Sequence, residues 1–538
     1  MVLFLFLAAL SLFPQEIIAE DEGEVQSVSR DAFPAEDTSP TVDTSPIGDA
    51  SALYLIAAYE FNVKGRSRQS ALVYKLIEQG EFREGELITG KANLEKYISD
   101  ITQIYTNQRV LKDNVEVSYF ADARNKDGAY PVTIIINVED SNNIIVLPKP
   151  YFKNDVFDIT IKARDYNFLG TMNPLRIDIG YNYNENKRHS FMFGVYSNTP
   201  FNAFGYHWNF ILDNTVQYRV DAPFYYQNKT GFSMDLPFKL TTFTFGLYET
   251  IFLNDESSDW AKKNGYGPYQ EGLYMSSDMF VSWKIPTGLT VSGFGDLTYT
   301  PEISATFVHE LPKWPLDDYR KGPFMGFSHL LGFEKIDWHE NYREGLSVYM
   351  GNSYQYNFNR MIYNSSVSFT GIGHHIVRDY FAVSARLMYK YWYSADKTWD
   401  GEYVSYYLRG VADKSITAYQ MFSLNLDFPL RLFVFTPSKW LNSRKLSFFD
   451  FELHASPVID LAYYNQKSFD TNKGKTLFYS GKTAVAGGIE FMVFPFYMRN
   501  LYLRIGYAVN LKEFITARPI RLPGGDNHEI YLILEHFY

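Results

Sequence analysis

From Tyr151 onward the chain alternates apolar and polar positions in segment after segment, and no long amphipathic helix interrupts the pattern. In Leu501 to Leu511, positions 501, 503, 505, 507, 509 and 511 are all apolar, while Tyr502, Arg504, Gly506, Ala508 and Asn510 form the other face. Phe381 to Tyr393 keeps the same period, with Arg386, Met388 and Lys390 on the second face. Short turns are predicted at Asn184–His189, Pro237–Thr241, Ile285–Gly288, Trp338–Arg343, His374–Asp379 and Phe494–Asn500. Longer connections fall between them, at Asn254–Gly267, Glu310–Lys321, Ser394–Thr417, Gln466–Gly481 and Glu513–Asn527. A shorter connection, Asn357–Ile362, breaks the rule, and a strand-like stretch at Phe204–Leu212 is assigned to an outer loop. Alternating short and long connections between strands is the habit of a transmembrane barrel, and the parity gives about 16 antiparallel strands. The first is Val156 to Arg164 and the last Glu529 to Tyr538, which meet at a seam.

Before the barrel the period changes. Tyr54 to Val63 reads as a strand, followed by two helices. The second carries Leu94, Tyr97, Ile98, Ile101, Ile104 and Tyr105 at helical spacing, with Thr89 or Asn93 placed to cap it. Two strands follow, Val115–Tyr119 and Val132–Val138, separated by the turn-forming Asn125-Lys-Asp-Gly128. The expected organisation is a small β-α-α-β-β domain over residues 51–145 and an all-β transmembrane barrel over 150–538.

Composition sharpens this reading. Of 538 residues 18% are aromatic, with 43 Tyr and 44 Phe and no long apolar run, as a barrel with aromatic girdles requires. Cysteine is absent, which excludes disulfides, thiolate metal sites and a lipidated N-terminal Cys. Met1 to Phe13 is apolar but too short to span a bilayer as a helix, so residues 1–19 read as a secretory signal, although no Lys or Arg precedes the apolar run. Net charge is -11, yet residues 20–50 alone hold nine acids against Arg30 and read as a disordered acidic leader. Little net charge remains for the rest, and no basic footprint for nucleic acid. Enzyme signatures are missing: there is no Gly-x-Ser-x-Gly, no His-Glu-x-x-His and no phosphate loop. His374-His375 lacks carboxylates at ligand spacing, so no metal or other cofactor is expected.

Several segments carry a resemblance. The order strand, helix, helix, strand, strand, with Phe61-Asn-Val-Lys-Gly65 closing the first strand, resembles a polypeptide-transport-associated (POTRA) domain. Asp165-Tyr-Asn-Phe-Leu-Gly-Thr171 followed by Leu175-Arg-Ile-Asp-Ile-Gly180 resembles the first barrel hairpin of the POTRA-barrel superfamily, which includes BamA- and TamA-like assembly factors and two-partner secretion translocators. Leu408-Arg-Gly410 is similar to that family's hydrophobic-Arg-Gly-aromatic loop motif, with Val411 in place of the aromatic. Val458-Ile-Asp-Leu-Ala462 is similar to its Asp-containing strand motif, with Ala462 in place of Gly, and Gly487–Phe491 and Leu501–Ala508 resemble the next two strands. Ile530, Leu532, Leu534 and Tyr538 share one face of the last strand, which resembles the closing strand that barrel-assembly machinery recognises, although His536 departs from it.

The resemblance implies an outer-membrane factor that inserts or exports polypeptides, its POTRA-like domain in the periplasm and its seam, between Val156 and Ile159 on one side and the closing strand on the other, opening laterally. Its partners would be the outer-membrane bilayer, unfolded polypeptide clients, and periplasmic chaperones or assembly-complex subunits. A passive porin or solute channel, or a surface adhesin working through long loops such as 395–414, are the alternative readings. Strand phase makes one further expectation: Ile459, Leu461 and Tyr463 take the lipid face, so Asp460 points inward, as does Asp427 opposite Phe422, Leu424, Leu426 and Phe428. Arg409 is expected to fold into the lumen and pair with Asp460, with Gly410 letting the loop turn tightly.

Overall fold

The computed structural model describes residues 51–80, 82–153, 156–183, 189–220, 224–238, 240–254, 272–291, 293–311, 316, 321–396, 399–411, 416–470, 475–516 and 528–533. The expected signal and acidic leader, together with Leu534 and Tyr538 of the closing strand, lie outside them.

The α/β portion runs β1 (Leu53–Lys64), α1 (Gln69–Gly80), β2 (Leu87–Thr89), α2 (Lys91–Asn107), β3 (Glu116–Ala121) and β4 (Ala129–Glu139). The strands form a sheet in the order β2-β1-β4-β3, and short β2 is an addition to the expected pattern. At the start of α2, Asn93 donates its amide to the Thr89 carbonyl at 2.7 Å instead of capping free N–H groups.

By packing, the chain divides into two compact units, and the division crosses this sheet: residues up to Glu60 with Phe82–Asp100 and Ser118–Ile135 form one, and Phe61–Glu81, Ile101–Val117 and Ile136–Tyr538 the other. In the first, Ile56, Leu94, Tyr97 and Val132 are buried. The Tyr97 hydroxyl meets Tyr59 at 2.5 Å and donates to Glu86 at 3.1 Å. Burial drives the Tyr59 phenol up to about 12 despite that contact with Tyr97. In the second, Leu72, Leu76, Ile101 and Tyr105 are buried, and the Tyr105 hydroxyl donates to the Leu72 carbonyl at 3.0 Å.

The barrel begins with β5 (Ile144–Lys153), β6 (Val156–Asp165), β7 (Leu175–Tyr183), β8 (His189–Ala203), β9 (Tyr206–Arg219) and β10 (Tyr225–Phe238). It continues through β11 (Thr241–Leu253), β12 (Leu273–Val291), β13 (Gly295–Glu310), β14 (Phe324–His339), β15 (Tyr342–Asn357), β16 (Ile362–Arg378) and β17 (Phe381–Ser394). A long connection holds the small hairpin β18 (Glu402–Tyr403) and β19 (Thr417–Ala418). Then come β20 (Gln420–Asp427), β21 (Leu430–Phe435), β22 (Phe451–Asp470), β23 (Lys475–Pro495), β24 (Leu503–Asn510) and β25 (His528–Ile533). Segments β5 to β17 and β20 to β25 close into one barrel in chain order, with β25 beside β5. Both β20 and β21 lie between β17 and β22, so they are halves of one strand, and the described barrel has 18 strands instead of about 16.

The two additional strands are β5 and β9. The seam is therefore formed by Ile144–Lys153, and Val156 and Ile159 sit one strand further in, on β6 between β5 and β7. The stretch Phe204–Leu212 is no outer loop but the start of β9, paired to β8 from Ala203↔Tyr206 onward. The turn expected at Ile285–Gly288 lies inside β12, where the register shifts between Pro286 and Thr290.

Closure leaves the barrel without a free edge, and its outer face is apolar: Phe191, Phe193, Leu247, Ile303, Ile459 and Leu461 are exposed. No described helix is long and apolar enough to cross a membrane. Because neighbours are antiparallel, alternate connections share an end, so 166–174, 204–205, 340–341, 379–380, 436–450 and 496–502 gather at what is called here the near end.

Candidate functional site

The connection between β17 and β20 folds back into the barrel instead of spreading outside it. Val404, Leu408 and Val411 are buried against Met388, Met421, Ala462, Ala484 and Ala486. Small alanines at inward positions of the wall leave the room these loop side chains fill. The 3-10 turn Ser405–Tyr407 brings the chain round, and its carbonyl at Tyr407 accepts from Asn425 at 2.9 Å and Arg386 at 3.3 Å. Lys390 donates to the Tyr407 hydroxyl at 2.7 Å.

At the tip of this fold stands Arg409, with 2% of its side chain exposed. Its Nη2 donates to Asp460 Oδ1 at 2.6 Å and its Nε to Asp460 Oδ2 at 3.0 Å, the two parallel bonds of a planar fork. Its backbone N–H adds a third bond to Asp460 Oδ2 at 2.7 Å. Nη1 reaches Asp427 at 2.5 Å and Glu490 at 3.2 Å. Strand phase places these carboxylates: on β22 Asp460 and Ala462 are buried while Ile459, Leu461 and Tyr463 are exposed outward. The expected partners Arg409, Asp460 and Asp427 thus meet, flanked by Leu408 and Gly410.

Gly410 has φ +67, and a Cβ there would stand 2.6 Å from Val509 N and 2.7 Å from Ala508 C, both backbone atoms of β24. No other residue fits both the conformation and the approach. The Gly410 N–H donates to Glu529 of β25 at 3.1 Å.

Strand phase could also have found Glu490, since Ile489 and Phe491 face outward and turn it inward. It is 1% exposed, lies 3.5 Å from Arg504, and accepts from the Tyr531 hydroxyl of β25. Three wall carboxylates therefore face two guanidinium groups, and two contacts, Gly410–Glu529 and Glu490–Tyr531, tie the loop tip to the closing strand. On that strand Ile530 is exposed outward and Tyr531 is buried inward, the phase expected for Ile530 and Leu532.

A second polar cluster fixes the near end. Arg499 donates to the Leu111 carbonyl at 2.8 Å and pairs with Asp113. Arg109 stacks 4.2 Å over the Trp338 ring and donates to Asn341 at 3.1 Å and to the Arg499 carbonyl. Burial and the neighbouring Arg499 charge lower the Arg109 guanidinium to about 10, and burial lowers Arg499 as well. Asp140 accepts from the Ser67 hydroxyl at 2.6 Å and Asn167 at 3.0 Å, while Arg66 makes a bidentate pair with Asp165 at 2.9 and 3.0 Å. Asp165 and Asn167 lie in the Asp165–Thr171 segment already read from the sequence; the other residues of the cluster were not singled out, because isolated Arg and Asp residues at turns carry no periodic signal.

No protein-family model matches the chain, and no curated protein matches its sequence. Among solved structures, CdiB from Acinetobacter baumannii is similar at 10% identity and a TM-score of 0.44, covering 89% of this chain and 73% of that one. BamA from Haemophilus ducreyi, lacking POTRA domains 1–3, is similar at 12% identity and a TM-score of 0.36, covering 89% and 83%. CdiB from Escherichia coli is similar at 9% identity and a TM-score of 0.37, covering 94% and 92%.

Proposed function

We propose that this chain is an outer-membrane factor that inserts or exports polypeptides, with no catalytic chemistry of its own. The observation that carries the reading is the loop tip at Arg409-Gly410, which is bonded at once to the lumen wall and to β25, one of the two seam strands. A loop held in this way obstructs the lumen beside the closing strands and senses their position, an arrangement of no use to an open pore. Residues 51–145 are read as a POTRA-like domain on the periplasmic side, whose edge strand β3 (Glu116–Ala121) offers main-chain groups to an extended client. The seam between β5 and β25 would then exchange its own hydrogen bonds for those of a client strand, each lost bond being remade, so that neither nucleotide nor metal is needed. Unfolded polypeptides delivered by periplasmic chaperones or assembly-complex subunits are the partners this reading requires.

The test uses a chain that lacks cysteine, so a cysteine pair placed in β5 and β25 can be cross-linked alone. In proteoliposomes the reduced form should accelerate membrane insertion of a urea-denatured eight-stranded barrel polypeptide, or pass an unfolded client, and the cross-linked form should do neither. Large steady currents in planar bilayers, together with client handling that cross-linking leaves unchanged, would refute the proposal and favour a passive porin.

A further inference from the structure

The near-end connection between β21 and β22 is built differently from the others. Residues 436–450 form a short helix, α3 (Pro437–Trp440), and a 3-10 stretch, Arg444–Phe449. The register Phe433↔Leu453 and Phe435↔Phe451, opposite the buried inward pair Glu452 and His454, sets Phe433, Phe435 and Phe451 on the outer face of the barrel. Trp440 packs edge-on against Phe435 at 5.0 Å, so the helix continues that outer aromatic face beyond the end of the strand. Trp440 and Leu441 are nonetheless 64% and 69% exposed. Beside them Lys439, Arg444 and Lys445 are all exposed, and none is in an ion pair among the described residues. The one carboxylate of the segment, Asp450, is buried and turned inward, accepting from the Ser438 N–H at 3.1 Å and from the Ser438 hydroxyl. Of the neighbouring near-end turns, 340–341 and 379–380 carry acids, Glu340 and Asp379, and 496–502 carries Arg499, which pairs with Asp113.

We propose that residues 437–445 are an interfacial foot that selects anionic phospholipid headgroups in the leaflet at the near end of the barrel. The inference rests on the reading of the barrel as membrane-spanning. An exposed Trp-Leu pair that prolongs a lipid-facing aromatic row lies where such rings settle, at the headgroup level. An aromatic girdle alone would bind any lipid; the three unpaired cations with no exposed acid add the preference for negative charge. Attraction of about 1 kcal/mol per Lys or Arg near an anionic surface corresponds to about 5-fold per cation at low salt. The outcome should be an enrichment of anionic lipid around this side of the barrel that fades as salt shortens the Debye length.

The experiment places the full chain in phosphatidylcholine vesicles containing a small fraction of brominated phosphatidylglycerol or brominated phosphatidylcholine. Trp440 emission is taken as the difference between the wild type and Trp440→Phe, and the same pair is made in a Lys439→Gln, Arg444→Gln, Lys445→Gln background. The wild type should be quenched preferentially by the anionic lipid, with the preference lost in the triple-substituted background and disappearing at high salt. Equal quenching by both lipids would make the foot a neutral apolar anchor and overturn the proposal, as would a preference that survives the triple substitution. No quenching by either lipid, in a protein that still migrates faster unheated than boiled, would put Trp440 in water and overturn it with the barrel intact. Loss of that heat-dependent migration in the wild type would instead mean that the membrane-spanning reading itself fails.

Discussion

Replacing Arg409 with Ala removes one cation from among three carboxylates whose side chains are 1%, 1% and 14% exposed, those of Asp460, Glu490 and Asp427. Arg504 remains beside Glu490, so the uncompensated loss falls mainly on Asp460 and Asp427. Breaking a buried pair from one side costs about 3 to 5 kcal/mol, which raises the population of the detached loop tip by roughly two to three and a half orders of magnitude. Val404, Leu408 and Val411 keep the apolar part of the anchorage, so the change should be confined at first to the segment around Tyr406–Val411. Chymotrypsin cleavage there reads the open population directly when opening and closing are fast relative to cutting. The Ala variant should be cut at least 100-fold faster than the wild type. Arg409→Lys should fall between them, since an ammonium keeps the charge but not the bidentate fork. A charge swap, Arg409→Asp with Asp460→Arg, should restore part of the protection lost in each single change. If the Ala variant resists protease as the wild type does, the lock contributes nothing to loop position and the reasoning from burial is wrong.

Gly410→Ala should loosen the same segment without touching a charge, because a left-handed conformation costs an L-residue about 1 to 2 kcal/mol before the new Cβ meets the β24 backbone; protection equal to the wild type would show that β24 can yield. The fragment 51–145 should unfold cooperatively on heating when expressed without the barrel, since its sheet and two helices supply buried apolar side chains such as Ile56, Leu72, Leu94, Ile101 and Val132, even though the polar contacts and the Tyr74–His207 and Arg109–Trp338 ring contacts with the barrel are lost. A gradual, non-cooperative loss of circular dichroism would place the boundary elsewhere.

The sequence yielded the barrel, the small α/β portion and the central pair of the lock for one reason: each depends on side chains alternating between two environments. Once Ile459, Leu461 and Tyr463 are assigned to lipid, Asp460 has nowhere to go but the lumen. Where the reading failed, local chemistry masked the period. In β5, Pro148 and Pro150 lack N–H donors and argue against a ladder strand, yet they pair with Ile161 and Ile159 at the seam, where a strand has fewer obligations. In β9 the signal was lost at its turn. Phe204 and Gly205 both have positive φ, the geometry of a tight primed hairpin, but Phe in place of Asn or Asp hides it. In β12, Pro286-Thr-Gly288 punctuates the sequence as a turn does, and the strand absorbs it as a bulge. The near-end cluster was invisible because its members come from segments hundreds of residues apart.

A loop could be held in a barrel by apolar packing alone, and replacing a buried ion cluster with well-packed hydrophobic residues is often neutral or stabilising. The charged tip therefore needs a reason other than stability. Apolar packing tolerates sliding, whereas a guanidinium that must meet Asp460 through two parallel bonds, Asp427 through a third and Glu490 through a fourth has one acceptable position. That position fixes Gly410 against β24 and presents its N–H to Glu529, while Glu490 holds Tyr531. Displacement of β25 by more than a hydrogen-bond length would break both contacts together and leave Glu490 with one partner fewer. Parting of the seam and release of the loop are in this way made to cost energy jointly, so whatever drives one lowers the cost of the other.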